Sequence, residues 1–352
     1  MRLAVVGDIC PDSDLRTWCD AGVPELHREL GVDLVVGNFE ATIDGHVVGD
    51  VDFAPQKIRL SVPDEGLARL LHMGVDAVGV ANNHLWDYGR AAAEHTVSRL
   101  TDVFGHNRVF GWREQPAVEL LPGLRILGAC FPETNPRPGD GPFGVNAFDN
   151  AARAVSAIAT PGETLIAFVH WGEEHVRLTD GLLRGRARAM IEAGASHVVG
   201  NHSHAAGAGE RVGDSVVLYS LGNFVFRMMP AGSATMLRAD RRGLVAVFRW
   251  ENRVLTYEEC WRSEFDNRMN LSLRRLGRRL PGGLVARAHL RLPTSSACGF
   301  CARGLYRTER STSWARRGLA RVLTGVEAPS WRKVRTAGRV LSRRGTRETT
   351  GS

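Results

Sequence analysis

Short β-branched runs that stop at glycine or at a polar residue recur through residues 1–226, and that pattern constrains the chain more than its composition does. The runs are Leu3–Val6, Leu34–Val36, Ala77–Val80, Leu165–Val169, Val198–Val199 and Val216–Tyr219. Apolar stretches this short and this continuous read as strands buried on both faces. Between several of them lie stretches of helical period, Glu65–Met73, Ala91–Leu100, Ala151–Ala157 and Leu183–Ala193. Strands alternating with helices imply an α/β architecture.

The residues at the ends of these runs carry the chemistry. Asp8 follows the first run, Asn38 and Glu40 the second, Asn82, Asn83 and His84 the third, His170 the fourth, and His202 with His204 the fifth. In open α/β sheets ligands bind beyond the carboxyl ends of the strands, so these separate tips are expected to converge on one site. Asp8 alone reads equally as a turn or helix-capping residue. A lone histidine is more often structural than a ligand, but ligand-type residues at five strand tips argue for a metal site. Carboxylate, amide oxygen and imidazole together suit Mn²⁺, Fe²⁺ or Zn²⁺ better than Ca²⁺ or Mg²⁺. One or two such ions can activate a water, and no GxSxG or Cys/His nucleophile motif competes with that chemistry. Asp87, three residues after His84, either orients that imidazole or caps the helix that follows. Glu174 either meets the same rim or is a solvated charge, and Asn223 lies near the site or forms a turn.

The order Gly-Asp, Gly-Asn-Phe-Glu, Ala-Asn-Asn-His-x-x-Asp-x-Gly, His-Trp-Gly-Glu-Glu, Gly-x-His-x-His and Tyr-Ser-Leu-Gly-Asn-Phe-Val-Phe resembles the CapA family of capsule-synthesis proteins, within the calcineurin-like metallophosphoesterases. The likeness spans about residues 3–226, and its specific blocks are Ala81–Gly89 and Tyr219–Phe226. It implies a four-layer α-β-β-α sandwich and a metal-dependent hydrolase, a phosphoesterase or a related enzyme. Asp8 would hold a first metal, Glu40 would bridge, Asn83 and His170 would hold a second, and His202 and His204 would serve one each. His84 would be the general acid, with Asp87 beside it, and Asn38, Asn82, Glu174 and Asn223 would orient ligands or touch an anionic substrate, small or oligomeric. Cys10 stands where such enzymes place a histidine, and Asn201 where CapA-like proteins often have one.

After Phe226 the pattern changes. Arg242–Trp250 and Val254–Trp261 flank Glu251-Asn252-Arg253 and read as a hairpin, closing a domain over 1–262. Residues 263–352 read as a basic extension with weak helical patterning at Leu271–Leu280 and Trp314–Leu323 and a disordered end from Arg343. Residues 1–226 hold 18 Lys and Arg against 29 Asp and Glu, and residues 227–352 hold 27 against 9. An acidic body with a basic appendage suits packing of the tail on the body or contact with an anionic surface. Six cysteines without an export signal read as free thiols in a cytoplasmic protein, at most peripheral to a membrane. Cys298-Gly-Phe-Cys301 lacks a second ligand pair for zinc, and no apolar run is long enough to span a membrane. Two other functions remain open: an accessory enzyme of poly-γ-glutamate or other acidic-polymer metabolism acting on amide bonds, and a non-catalytic scaffold with a basic tail. Substrate choice is expected to lie in the loops 44–57 and 132–144.

Overall fold

The computed structural model describes residues 1–11, 22, 24–48, 59–134, 146, 150–226, 241–266 and 270–281. Along the chain, β1 (Arg2–Cys10) leads through α1 (Leu26–Leu30) to β2 (Leu34–Phe39), β3 (Thr42–Ile43), α2 (Gly45–Val48) and β4 (Ser61–Val62). Next come α3 (Leu67–Met73), β5 (Ala77–Gly79), α4 (Gly89–Phe104) and β6 (Val109–Phe110). A hairpin of β7 (Ala117–Leu121) and β8 (Leu124–Cys130) precedes α5 (Ala151–Ser156), β9 (Thr164–His170), α6 (Gly181–Glu192) and β10 (His197–Asn201). The chain continues with β11 (Gly209–Val212), β12 (Ser215–Leu218), β13 (Asn223–Phe226), β14 (Arg242–Glu251), β15 (Val254–Phe265) and β16 (Leu271–Gly277).

The strands form a mixed α/β structure with two large sheets. One has the order β16-β15-β14-β1-β2-β5-β6, with β13 also on β1, and the other β11-β12-β10-β9-β8-β7. In the first sheet the parallel run β1-β2-β5-β6 ends at edge strand β6 and antiparallel β14, β15 and β16 extend the β1 side; in the second, antiparallel β7 and β11 flank the parallel β8-β9-β10-β12. Parallel strands put all their carboxyl ends on one side, which is what brings the tips together.

Three apolar clusters account for the packing. Leu3, Val5, Val36, Phe110 and Phe248 of the first sheet meet Ile126, Phe168, Val199 and Leu218 of the second. On the first sheet's other face, Val6, Ile9, Val35 and Val78 pack with Leu70 and Met73 of α3 and Val97 and Leu100 of α4. On the second sheet's other face, Leu127, Ala167 and Val198 pack with Val155 of α5 and Ala187 and Met190 of α6. Alternate residues of one strand thus face opposite clusters, as the period of two requires. Fully burying a side chain such as Phe110 or Phe168 stabilises the fold by about 1.5–3 kcal/mol.

All four helices expected between the runs are present, and so is the 242–261 hairpin. Leu271–Leu280, expected to be helical, is instead strand β16, paired antiparallel with β15 from Phe265↔Leu271 to Cys260↔Gly277. Leu271 is buried and Leu273 packs against the same cluster, a two-residue alternation that the helical reading of Leu271, Leu273, Leu276 and Leu280 passed over. Strand β15 runs through residues 262 and 263 to Phe265, so the expected domain limit falls inside a strand. Trp314–Leu323, the tail from Arg343, and Cys19, Cys298 and Cys301 lie outside the described residues, as do 49–57 and 135–144 of the two loops. Among the described residues Cys10, Cys130 and Cys260 are buried and form no disulfide. Among the described residues no helix is long and apolar enough to cross a membrane.

Candidate metal centre

Asp8 is placed by a close approach of backbones. Its N–H donates to Gly222 O at 2.9 Å, and β1 lies in parallel register with β13, Asp8 opposite Asn223. A Cβ on Gly7 would stand 1.8 Å from Gly222 O, so only glycine fits there. On its other side Asp8 is in register with Asn38 of β2. The Asn38 amide donates to Asp8 Oδ1 at 2.8 Å and lies 3.3 Å from His170 Nδ1, joining the two sheets at this point. Asp8 Oδ2 accepts from His202 N at 3.2 Å and stands 3.6 Å from His204 Nδ1. Burial pushes the Asp8 carboxyl up, opposed by the His204 charge and these hydrogen bonds.

Glu40 sits at the centre. Its Oε1 lies 3.5 Å from His170 Nε2, 3.8 Å from His84 Nε2 and 3.9 Å from His204 Nε2. Two sets of three ligand atoms gather around it within 4.8 Å of one another: Glu40, His170 and His202, and Asp8, Glu40 and His204. His170 Nε2 is also 2.8 Å from Asn83 Oδ1 and 3.0 Å from His202 Nδ1. Donors about 2.1 Å from a common ion stand roughly 3.0–3.4 Å apart at right or tetrahedral angles. The Glu40 separations of 3.5–3.9 Å are somewhat wider than that spacing, and a cation would offset the cost of burying two carboxylates side by side. The residues therefore fit one or two divalent ions.

Neighbouring groups set the ring orientations. His204 Nδ1 lies 2.8 Å from Asn223 Oδ1; with that amide oxygen accepting, Nε2 is the nitrogen left to ligate beside Glu40. His84 Nδ1 lies 2.5 Å from Asp87 Oδ2, which also accepts from Leu60 N at 2.8 Å, so the Nε2 of His84 is aimed at the centre. The 81–88 segment that carries these groups is pinned by Asn82. Its Oδ1 accepts from His84 N and Leu85 N, and its amide donates to Phe39 O and Asn38 Oδ1. Asp87 thus orients His84, and no side-chain bond caps α4. Burial pushes the His202 imidazole down to about 3, so it stays neutral, the form that ligates.

His202 and His204 have left-handed backbone, φ 87° and 54°, where a side chain costs about 1–3 kcal/mol. Such strain concentrates at functional sites, and here it lies on the two residues whose rings converge on Glu40 and Asp8.

Residues 2–228 match the family described as Bacterial capsule synthesis protein PGA_cap. The chain belongs to that family. It is 27% identical over 210 residues to the Capsule biosynthesis protein CapA of Bacillus anthracis, covering 55% of this chain and 50% of that protein. It is also 27% identical over 207 residues to the PGA biosynthesis protein CapA of Bacillus subtilis, covering 55% of this chain and 53% of that protein. The chain spans about half the length of these curated relatives. A crystal structure of TT1561 of Thermus thermophilus covers 73% of this chain and 97% of its own at 11% identity and a TM-score of 0.36, too slight a likeness to bear on the fold.

The stretch matched to the PGA_cap family contains every candidate residue. Asp8, Asn38, Glu40, Asn82, Asn83, His84, Asp87, His170, His202, His204 and Asn223 meet through the contacts above. Glu174 stands at the rim, 47% exposed. Cys10 is buried in β1 but belongs to neither set of converging ligand atoms. Two neighbours went unassigned in the sequence. Asn201, in register with His170, is buried, and its Oδ1 accepts no hydrogen bond among the described residues. His175 follows Glu174 directly, where the tip pattern had ended, and its left-handed φ of 63° has no signature in sequence.

Proposed function

We propose that this protein is a metal-dependent hydrolase acting on a phosphoester or a related bond of an anionic substrate. The observation that carries the reading is the pair of three-ligand sets sharing Glu40, with His84 beside them and outside both. One or two divalent ions, Mn, Fe or Zn by the donor set, supply an acidified water and a positive field for developing negative charge. Asp8, Glu40, Asn83, His170, His202 and His204 are the proposed ligands. Asn38 and Asn223 fix Asp8 and His204, and Asn82 fixes the segment carrying His84. Asp87 holds the Nδ1 proton of His84, leaving Nε2 to deliver a proton to the leaving group. The sheet and helix clusters described above are compatible with the four-layer α-β-β-α sandwich of metallophosphoesterases.

A second reading keeps the same centre and changes the bond. Both curated relatives are named for capsule or PGA biosynthesis, which favours an accessory enzyme of acidic-polymer metabolism cleaving amide bonds. Protein stripped of metal and reconstituted with Mn²⁺ is to be assayed on phosphomonoesters, phosphodiesters and γ-glutamyl peptides. Metal-dependent turnover of a phosphoester supports the first reading and of a γ-glutamyl bond the second. Fully loaded protein inert on all three contradicts both.

A further inference from the structure

Exposure differs widely among the residues of the centre and its rim. Side-chain exposure is 0% for Asp8 and Glu40, 1% for His170, 7% for His84, 11% for His204, 19% for His175 and 47% for Glu174. Among these residues exposure thus rises from the buried carboxylates through His204 to His175 and Glu174. His175 is fixed in place. Its N–H donates to Ser203 O at 2.6 Å, strapping the segment after β9 to the turn that carries His202 and His204. Its ring stands 5.8 Å from that of His204, tilted by 39°. Its backbone is left-handed, where glycine or asparagine would cost less. The strap is made by the backbone, so any residue would provide it; the strained position adds an imidazole, whose Nε2 stands 3.9 Å from Glu174 Oε2.

We infer that His175 is a substrate-contacting residue, its imidazole N–H donating a hydrogen bond to an anionic oxygen of the substrate at the mouth of the centre. A neutral or a charged ring has such a donor, so the contact needs no particular protonation state. The inference rests on the proposed metal centre, because an anion enters this acidic pocket only toward bound cations.

The test is calorimetric titration of inorganic phosphate into Mn²⁺-loaded native protein and its His175→Asn variant, with the metal content of each measured alongside. Asparagine tolerates the left-handed backbone. The expected result is unchanged metal content and phosphate binding weakened about tenfold or more. Equal phosphate affinity overturns the inference, and so does loss of metal, which would make His175 a support of the centre. If the native protein holds metal but no phosphate, the inference fails and the metal reading stands; if it takes up no metal, the proposed function fails as well. A second variant, His175→Gly, relieves the backbone and is expected to melt no lower than the native protein while losing the same phosphate affinity. Marked destabilisation of that variant would assign the side chain a purely structural role and overturn the inference.

Discussion

The two ends of β10 carry buried histidines in opposite circumstances. At its start, His197 has ordinary strand backbone and both nitrogens are matched to main chain: Nδ1 accepts from Val216 N at 3.0 Å and Nε2 donates to Leu255 O at 2.8 Å. Its ring lies 5.2 Å from that of Phe248 in the core between the sheets. Beyond the strand's other end, His202 and His204 take strained backbone, and their nitrogens face His170, Asp8, Glu40 and Asn223. One residue type serves as structural filler at one end and as a convergent donor at the other. What separates them is where the hydrogen bonds go, which the bare sequence does not state.

The largest expected effect breaks the comparison at its functional end. His202→Ala should weaken metal binding by more than the roughly 10–100-fold typical of losing a partner once removed from the metal, and should abolish turnover. His197→Gln should leave metal content unchanged and cost stability, about 1–3 kcal/mol for each main-chain group it fails to satisfy. Elemental analysis beside urea unfolding separates the two, and metal loss from the His197 variant would erase the distinction. Next in size, His84→Ala should keep the metal and lower turnover by about 10²–10⁴-fold, as expected for a removed proton donor; metal loss equal to that of the His202 variant would show that His84 is a ligand. Asn223→Ala, which frees the His204 ring without removing it, should weaken metal binding about 10–100-fold, read by competition with a chelating dye. An unchanged affinity would mean that Asn223 only shapes the turn.

The smallest effect concerns acid stability. Burial lowers the His197 pKa below its ordinary value of 6.5, so the folded chain holds the neutral ring. Its contribution is then complete above the unfolded value and is lost as pH falls below it toward the folded value, with a slope of at most about 1.4 kcal/mol per pH unit. Urea unfolding at pH 7.5 and 5.5 should show a smaller acid loss for His197→Gln than for the native protein. Identical losses would mean that His197 is not protonated on unfolding in this range.

How much could be read in advance follows from the same contrast. Asp8, Glu40, His170, His202 and His204 were legible because each closes an apolar run, and parallel strands bring such ends together. The role of Asn223 was half legible: the Leu-Gly-Asn-Phe block marks a turn, but only the pairing of β13 with β1 sets it beside Asp8 and His204. His175 was missed because its assignment rests on a backbone angle and on exposure relative to its neighbours. Leu271–Gly277 was read as helix because leucine spacing alone fits either period, and pairing with the edge of β15 decided it. The β7–β8 hairpin was passed over although Val118 and Leu120 flank Glu119 and Leu124 and Ile126 flank Arg125, an alternation that puts the four apolar residues in one cluster and Glu119 opposite Arg125.

The central claim is that Glu40 is shared by converging metal ligands, and anomalous diffraction at the manganese edge from crystals of the Mn²⁺-reconstituted protein tests it most directly. One or two peaks are expected against the Glu40 carboxylate, within coordination distance of His170 and His202, of Asp8 and His204, or of both sets. A map with no peak there, or manganese bound only elsewhere on the chain, would contradict it.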